Sequence, residues 1–240
     1  MNALRLALGT LTILPVRAPT LVDRKVAGWA MTLAPLVGLL LAVVPVALVS
    51  VDSPPLLMSV LAVASLAVLS RAIHLDGLAD TADGLGSGRP AAEALAVMRK
   101  SDIGPFGVVT LVLTLLVQVS ALAALSARPD GLAWAVGAAV VVSRGVLPLV
   151  CLPVFSPARR DGLGAGVAGS VTWWQAVMAL ALMVGVATAA RAPYVLVGLV
   201  AGLALALHCR RRFGGVTGDV YGAVVEVTFA AGLVALALTA

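Results

Sequence analysis

Apolar residues in this chain neither alternate nor return as one helical stripe; they run on. Long apolar stretches, parted by short polar or proline-containing breaks, fall at about 29–50, 56–73, 104–125, 132–155, 171–190, 193–208 and 218–239. A helix needs ~20 such residues to cross the hydrocarbon core of a bilayer. Inside lipid a helix also satisfies every backbone amide within its own segment. The pattern predicts an all-α fold: a polytopic transmembrane helical bundle of about seven spans. The runs are far longer than barrel strands, which argues against a transmembrane β-barrel. The sixth run, 193–208, is the shortest. Pro54-Pro55, Arg128-Pro129-Asp130-Gly131 and Arg191-Ala192-Pro193 read as tight turns.

Ahead of the first run, Arg5 is followed by an apolar stretch from Leu6 to Val16. No small-residue cleavage site ends it, and Arg17, Arg24 and Lys25 follow, so a removed signal peptide is a poor fit. Residues 1–16 are expected to form a retained interfacial helix stopped by Pro15 and Pro19. The whole of 1–240 is read as a single integral membrane domain.

Composition sharpens this picture. Of 240 residues 61% are hydrophobic and only 11% charged, and mean hydropathy is +1.10, so little chain lies outside the lipid. Cys151 and Cys209 sit in or beside apolar runs, without metal-ligand spacing, and read as packing residues. No basic tract suggests a nucleic-acid partner.

Charge gives an orientation. With the N-terminus in the cytoplasm, Arg5, Arg17, Arg24, Lys25, Arg71, Arg89, Arg99, Lys100, Arg159, Arg160, Arg210, Arg211 and Arg212 all fall inside. Only Arg128 and Arg191 fall outside, and Arg144 lies within a span. That asymmetry follows the positive-inside rule. The same map puts Asp76, Asp80, Asp83, Glu93, Asp102, Asp161 and Asp219 on the cytoplasmic side. Loops at about 74–103, 156–170 and 209–218 then converge on one active face.

The strongest chemical signal is His74-Leu-Asp76-Gly-Leu-Ala-Asp80-Thr-Ala-Asp83-Gly84. Helical spacing puts Asp76, Asp80 and Asp83 on one face. Like charges there repel unless a cation sits between them, and hard oxygen ligands select Mg²⁺ or Mn²⁺. Such a cluster at a membrane edge points to metal-assisted chemistry on a phosphorylated substrate. His74 is a candidate base beside it.

A second constellation is Gly214-Gly215-Val-Thr217-Gly218-Asp219-Val-Tyr-Gly222, with Glu226 two turns on from Asp219. Gly215, Gly218 and Gly222 make a small-residue stripe for close helix packing. Glu226 lies inside an apolar span, where a charge is expensive and usually functional. If this helix packs beside the first motif, its carboxylates complete a metal site. Arg144 reads either as an anion ligand in the bundle or as the structural ion-pair partner of Glu226 or Asp52. Asp161-Gly162-Leu-Gly164-Ala-Gly166 has no preceding strand, so it is no dinucleotide fold. It reads as a backbone nest for phosphate or as a flexible loop.

Taken together, these residues resemble the cobalamin synthase (adenosylcobinamide-GDP ribazoletransferase) family. The resemblance rests on the 74–84 motif, Val97-Met98-Arg99, Gly104-Pro-Phe-Gly107, Ser143-Arg144, Gly162-Leu-Gly164, and Gly214 to Asp219 with Gly222 and Glu226. It runs collinearly from about residue 10 to the C-terminus. It implies a bacterial inner-membrane enzyme that joins adenosylcobinamide-GDP to α-ribazole or α-ribazole 5′-phosphate, releases GMP and uses Mg²⁺. Carried over, Asp76, Asp80, Asp83, Asp219 and Glu226 would hold the metal. His74 and the three aspartates would be catalytic, and Arg99, Arg144, Gly162, Gly164, Gly215 and Thr217 would contact substrate. One departure stands out: where family members read Met-Arg-Asp-Ser-Arg, this chain has Met98-Arg99-Lys100-Ser101-Asp102, so no role passes to Lys100 or Asp102. A homo-oligomer, or association with other cobalamin-assembly enzymes, is compatible with the glycine stripes.

Two rival readings share some of these features. A CDP-alcohol phosphotransferase also sets aspartates on membrane helices, but after Asp83-Gly84 this chain lacks the Ala-Arg element that signature needs. A transporter could use Arg144 and Glu226, but transporters place polar sites at the midplane between repeats, and no repeat is visible.

Overall fold

The apolar runs fold as helices, and the breaks between them set where each helix turns. A computed structural model describes residues 1–126 and 131–239. The turn expected at Arg128-Pro129-Asp130 lies outside the described residues. The helices are α1 (Asn2–Leu11), α2 (Arg24–Thr32), α3 (Ala34–Val49), α4 (Pro55–Leu69), α5 (Ile73–Gly86) and α6 (Ala91–Val97). They continue with α7 (Pro105–Leu125), α8 (Leu132–Val150), α9 (Leu163–Val167), α10 (Trp173–Ala189), α11 (Val197–Phe213) and α12 (Gly218–Leu238). Pro193–Leu196 is a 3-10 turn that leads into α11. Among the described residues there is no strand, only one isolated parallel bridge between Pro157 and Val216.

By length and composition, four helical segments can cross a membrane: Pro105–Leu125, Leu132–Val150, Pro193–Phe213 and Gly218–Leu238. Two bent pairs bring the number to six, α2 with α3 at 42° and α4 with α5 at 90°. The seven expected spans map onto these six plus α10, which is apolar but only 17 residues long. The sixth run, expected to be the shortest, spans 21 residues from Pro193 to Phe213, longer than α10. The sixth extends to Phe213 because Arg210, Arg211 and Arg212 form its last turn, where cations suit the negative end of the helix dipole.

Other boundaries also moved. The N-terminal helix stops at Leu11, ahead of Pro15. The segment 74–103, expected as a loop, holds α5 and α6, and 156–170 holds the short α9. The α4–α5 break is made by Arg71 and Ala72, both left-handed at φ 55° and 53°, a conformation costly for residues with a Cβ. α5 turns at a right angle to α4, so it does not continue the α4 crossing.

α8 and α12 are the most buried of the spanning helices. α8 packs against α3, α10, α11 and α12, while α12 packs against α5, α7, α8 and α11. Small residues let backbones approach, as in transmembrane pairs generally: a Cβ on Gly198 or Gly202 of α11 would strike Thr228 of α12, and one on Gly38 of α3 would meet Val141 of α8 at 3.0 Å. The outer faces of α3, α4, α7 and α10 expose Val43, Leu56, Leu113 and Val177, the apolar surface that lipid covers.

Candidate active site

α5 and α12 cross backbone to backbone. A Cβ on Gly77 would come within 2.5 Å of the Asp219 carbonyl oxygen, and one on Gly222 within 3.0 Å of His74 Cα. The glycines interleaved with the acids thus serve helix contact. This crossing brings the two sequence motifs together. Asp76 and Asp219 line one cavity of about 500 Å³, with His74, Arg159, Asp161, Gly162, Gly164, Thr217 and Gly218. Leu6, Thr10 and Leu11 of α1, Ala27 and Met31 of α2 and Leu147 of α8 also line it, as do the apolar side chains of Ile73, Val167, Val216 and Tyr221, whereas Asp80 and Asp83 are not part of the lining.

The electrostatics of the crossing are dominated by like charge. Partial burial first, then Asp76, Asp219 and Asp83, push the Asp80 carboxyl up to about 7, against an opposing pull from Arg159. Arg159 offsets part of the repulsion by pairing with Asp219 at 2.8 Å. The Thr217 hydroxyl donates to the same Asp219 oxygen at 3.1 Å and also caps α12 by accepting from Val220 N–H at 3.3 Å. Among the described residues no three His, Cys, Asp or Glu side chains form a ready metal cage. The donor set is nevertheless all oxygen, acidic and crowded, which suits a hard divalent cation.

Asp83 faces elsewhere. It is buried, and its carboxylate accepts from Gly104 N–H at 2.7 Å and Gly107 N–H at 2.9 Å. It thereby caps the start of α7, satisfying amides that have no partner within the helix. The Gly104-Pro-Phe-Gly107 motif is the matching cradle: a Cβ on Gly107 would lie 2.5 Å from the carboxylate. His74 is buried, Nδ1 has no hydrogen-bond partner, and burial, then the charge of Arg144, lower its pKa to about 3. It is a neutral imidazole, far from the poise a general base needs.

Glu226 and Arg144 lie deeper in the bundle, outside the cavity that Asp76 lines. Gln118 Nε2 donates to Glu226 at 2.8 Å; Arg144 donates to Ser143 Oγ at 2.8 Å and stands 6.0 Å from the Phe229 ring centre. The geometry there is that of a buried polar cluster joining α7, α8 and α12. Arg99 lies on the rim, its Nη2 donating to both carboxylate oxygens of exposed Asp161 at 3.0 Å. Gly215 packs against Ser156, Pro157 and Ala158, and Gly164 against Thr217 and Gly218. Gly162, at φ 85°, leaves open space where a side chain would stand.

Two features escaped the sequence reading. Arg159 read there only as a cytoplasmic cation, and its neighbour Arg160 gives the same signal. The pairing of segments 156–158 and 214–216 could not be read either. Ala158 N–H donates to Val216 C=O and Val216 N–H to Ser156 C=O, each at 2.9 Å. Cations expected on one face do tie its segments together: Arg24 binds Gly169 C=O, Arg71 binds Gly9 C=O and Arg212 binds Arg89 C=O.

Over residues 3–237 the chain matches the family described as cobalamin-5-phosphate synthase. It is 48% identical over 240 residues to the adenosylcobinamide-GDP ribazoletransferase of a Nocardioides species, covering 98% of each chain. It is 38% identical over 263 residues to the protein of that name from Frankia casuarinae, covering 98% of this chain and 94% of the relative. The Pseudomonas aeruginosa protein of that name is 41% identical over 251 residues, covering 99% and 98%. No solved structure matches.

Proposed function

This chain belongs to the cobalamin-5-phosphate synthase family, and we propose that it joins adenosylcobinamide-GDP to α-ribazole or α-ribazole 5′-phosphate in the cavity at the α5–α12 crossing. It is a transferase of cobalamin biosynthesis built on membrane helices. The substrates come from the name its relatives carry. The observation that carries the placement is the convergence of Asp76, Asp219 and Arg159 on one cavity from three separate segments, with the Asp80 carboxyl electrostatically coupled to all three.

In this reading a ribose hydroxyl oxygen of the acceptor attacks the cobinamide-linked phosphorus of the donor diphosphate. A new P–O bond forms, the bond from that phosphorus to the bridging oxygen breaks, and GMP leaves with the bridging oxygen. The hydroxyl proton passes to water or to a cavity carboxylate. Arg159 can move from Asp219 to a phosphate oxygen and offset charge in the transition state. Thr217 and the backbone around Gly162 and Gly164 line the cavity as polar contacts. Neutral His74 serves as a hydrogen-bonding group.

Mg²⁺ would be held by Asp76, Asp80 and Asp219, and when bound it would shield the diphosphate and stabilise the leaving oxygen. Mg²⁺ is commonly held by one or two carboxylates with substrate phosphates, so an open half-site is the expected form without substrate. Asp83 supports this face through the start of α7, and Glu226 through the bundle core. The asymmetry of cations supports an active face toward the cytoplasm, in the bacterial inner membrane.

The test is GMP release and product formation by detergent-solubilised protein, with Mg²⁺ and with EDTA, for wild type and Asp80→Asn. Release should need α-ribazole and Mg²⁺ and fall at least roughly a hundredfold in the variant. No release by folded wild type overturns the reaction; undiminished release in Asp80→Asn overturns the site.

A further inference from the structure

We propose that the uncharged side of this cavity, built by α1 and α2 with Leu147, receives the planar aromatic base of the acceptor nucleoside and selects which base is used. The inference rests on the transfer reaction proposed above and extends it to substrate choice.

The cavity's charge is confined to part of its lining, although Ile73, Val167, Val216 and Tyr221 add apolar surface there too. Among the described residues its charged lining groups, Asp76, Arg159, Asp161 and Asp219, all come from α5, the segment before α9, and α12. α1 and α2 supply Leu6, Leu11, Ala27 and Met31, with Thr10 their only polar contribution. A nucleoside divides in the same way: the sugar hydroxyls are polar and the fused aromatic base is flat and apolar. With the reacting hydroxyl at the carboxylates, the base reaches the aliphatic wall.

Size decides which substrate enters. About 500 Å³ falls within the range of cavities that bury small ligands. A corrin macrocycle fringed with amide side chains is too bulky to share that space with a nucleoside. The donor therefore presents its diphosphate from the mouth, and the acceptor is the partner that goes inside.

The wall is also fixed in place. Ile13 N–H donates to Leu69 C=O at 2.7 Å, and Arg71 donates to Gly9 C=O at 2.8 Å, so the end of α1 is tied to the turn that starts α5. The aliphatic side chains thus stand at a set reach from Asp76. His74 lines the same space, 4% exposed, with Nδ1 lacking a partner. A buried nitrogen left unpaired is costly, and a bound nucleoside supplies the hydrogen bond it lacks.

The test compares two acceptors, α-ribazole and its analogue with adenine in place of the benzimidazole, in wild type, Leu11→Phe and Met31→Gln, with acceptor and adenosylcobinamide-GDP each varied in turn while the other is saturating. Leu11→Phe should raise the KM for α-ribazole roughly tenfold while the donor KM changes less than twofold. Met31→Gln should narrow the preference for benzimidazole over adenine. An unchanged donor KM shows that each variant is folded. A rise confined to the donor KM, an equal rise in both, or an unchanged base preference in both variants overturns the assignment. Calorimetric binding of α-ribazole separates this from failure of the reaction itself: tight binding to wild type, weakened in Leu11→Phe, supports the wall even without turnover, and equal binding to both sinks it.

Discussion

Asp80 carries the sharpest consequence at the scale of a single residue. Its folded pKa, about 7, lies above the ordinary 3.8, so the folded chain holds a proton there that the unfolded chain has lost. Stability from this group is full below about pH 4 and is lost as pH rises toward 7. In metal-free detergent the melting temperature of wild type should fall across that window relative to Asp80→Asn; parallel curves would contradict the crowding described here. Arg159→Gln removes the cation that offsets Asp219 and should cost roughly a hundredfold in kcat/KM, read as GMP release. The acids themselves were legible in the sequence, because a four- and three-residue spacing announces a shared helical face. Their division of labour was not. Asp83 turns to amides 21 and 24 residues away, and Asp219 finds Arg159 across 60 residues, and spacing along the chain says nothing about either.

At the scale of elements, the α5–α12 crossing depends on a missing side chain. Gly77→Ala places a methyl against the Asp219 backbone and should destabilise the fold by about 1–3 kcal/mol. It should also abolish transfer, since the two carboxylate motifs are pushed apart. Gly185→Ala on α10 meets nothing within 4 Å and should be neutral in the same melting and activity assays. The apolar runs foretold most helices, because lipid leaves the backbone few alternatives. The right-angle start of α5 was hidden: Arg71 and Ala72 are not residues that sequence rules associate with left-handed backbone, and the neighbouring contacts hold them there. The extension of α11 through three arginines was missed for a similar reason, since cations read as a loop signal also suit a helix end.

For the whole molecule, segments that the charge map assigned to one side do meet around one cavity, from residue 6 to residue 222. That agreement supports the topology and leaves its direction to be measured. In a background with Cys151 and Cys209 replaced by serine, an Arg191→Cys variant should react with an impermeant maleimide added to intact cells. An Arg160→Cys variant should react only in inverted vesicles. The reverse pattern would turn the protein over in the membrane. Family membership was legible because several short motifs agree in order. The cavity was not, because its walls come from six stretches of chain brought together by packing.

That composition of the cavity also governs when the protein becomes functional during its synthesis. The wall formed by α1 leaves the ribosome well before the carboxylate of Asp219. No nascent chain that stops short of Asp219 contains both, so α1 and α12 must both be inserted and docked before any substrate can be held. Such long-range closure is slow compared with local helix formation. Between those events the acidic face of α5 waits without its partner helix, at the stage when a half-built chain is most exposed to quality-control proteases.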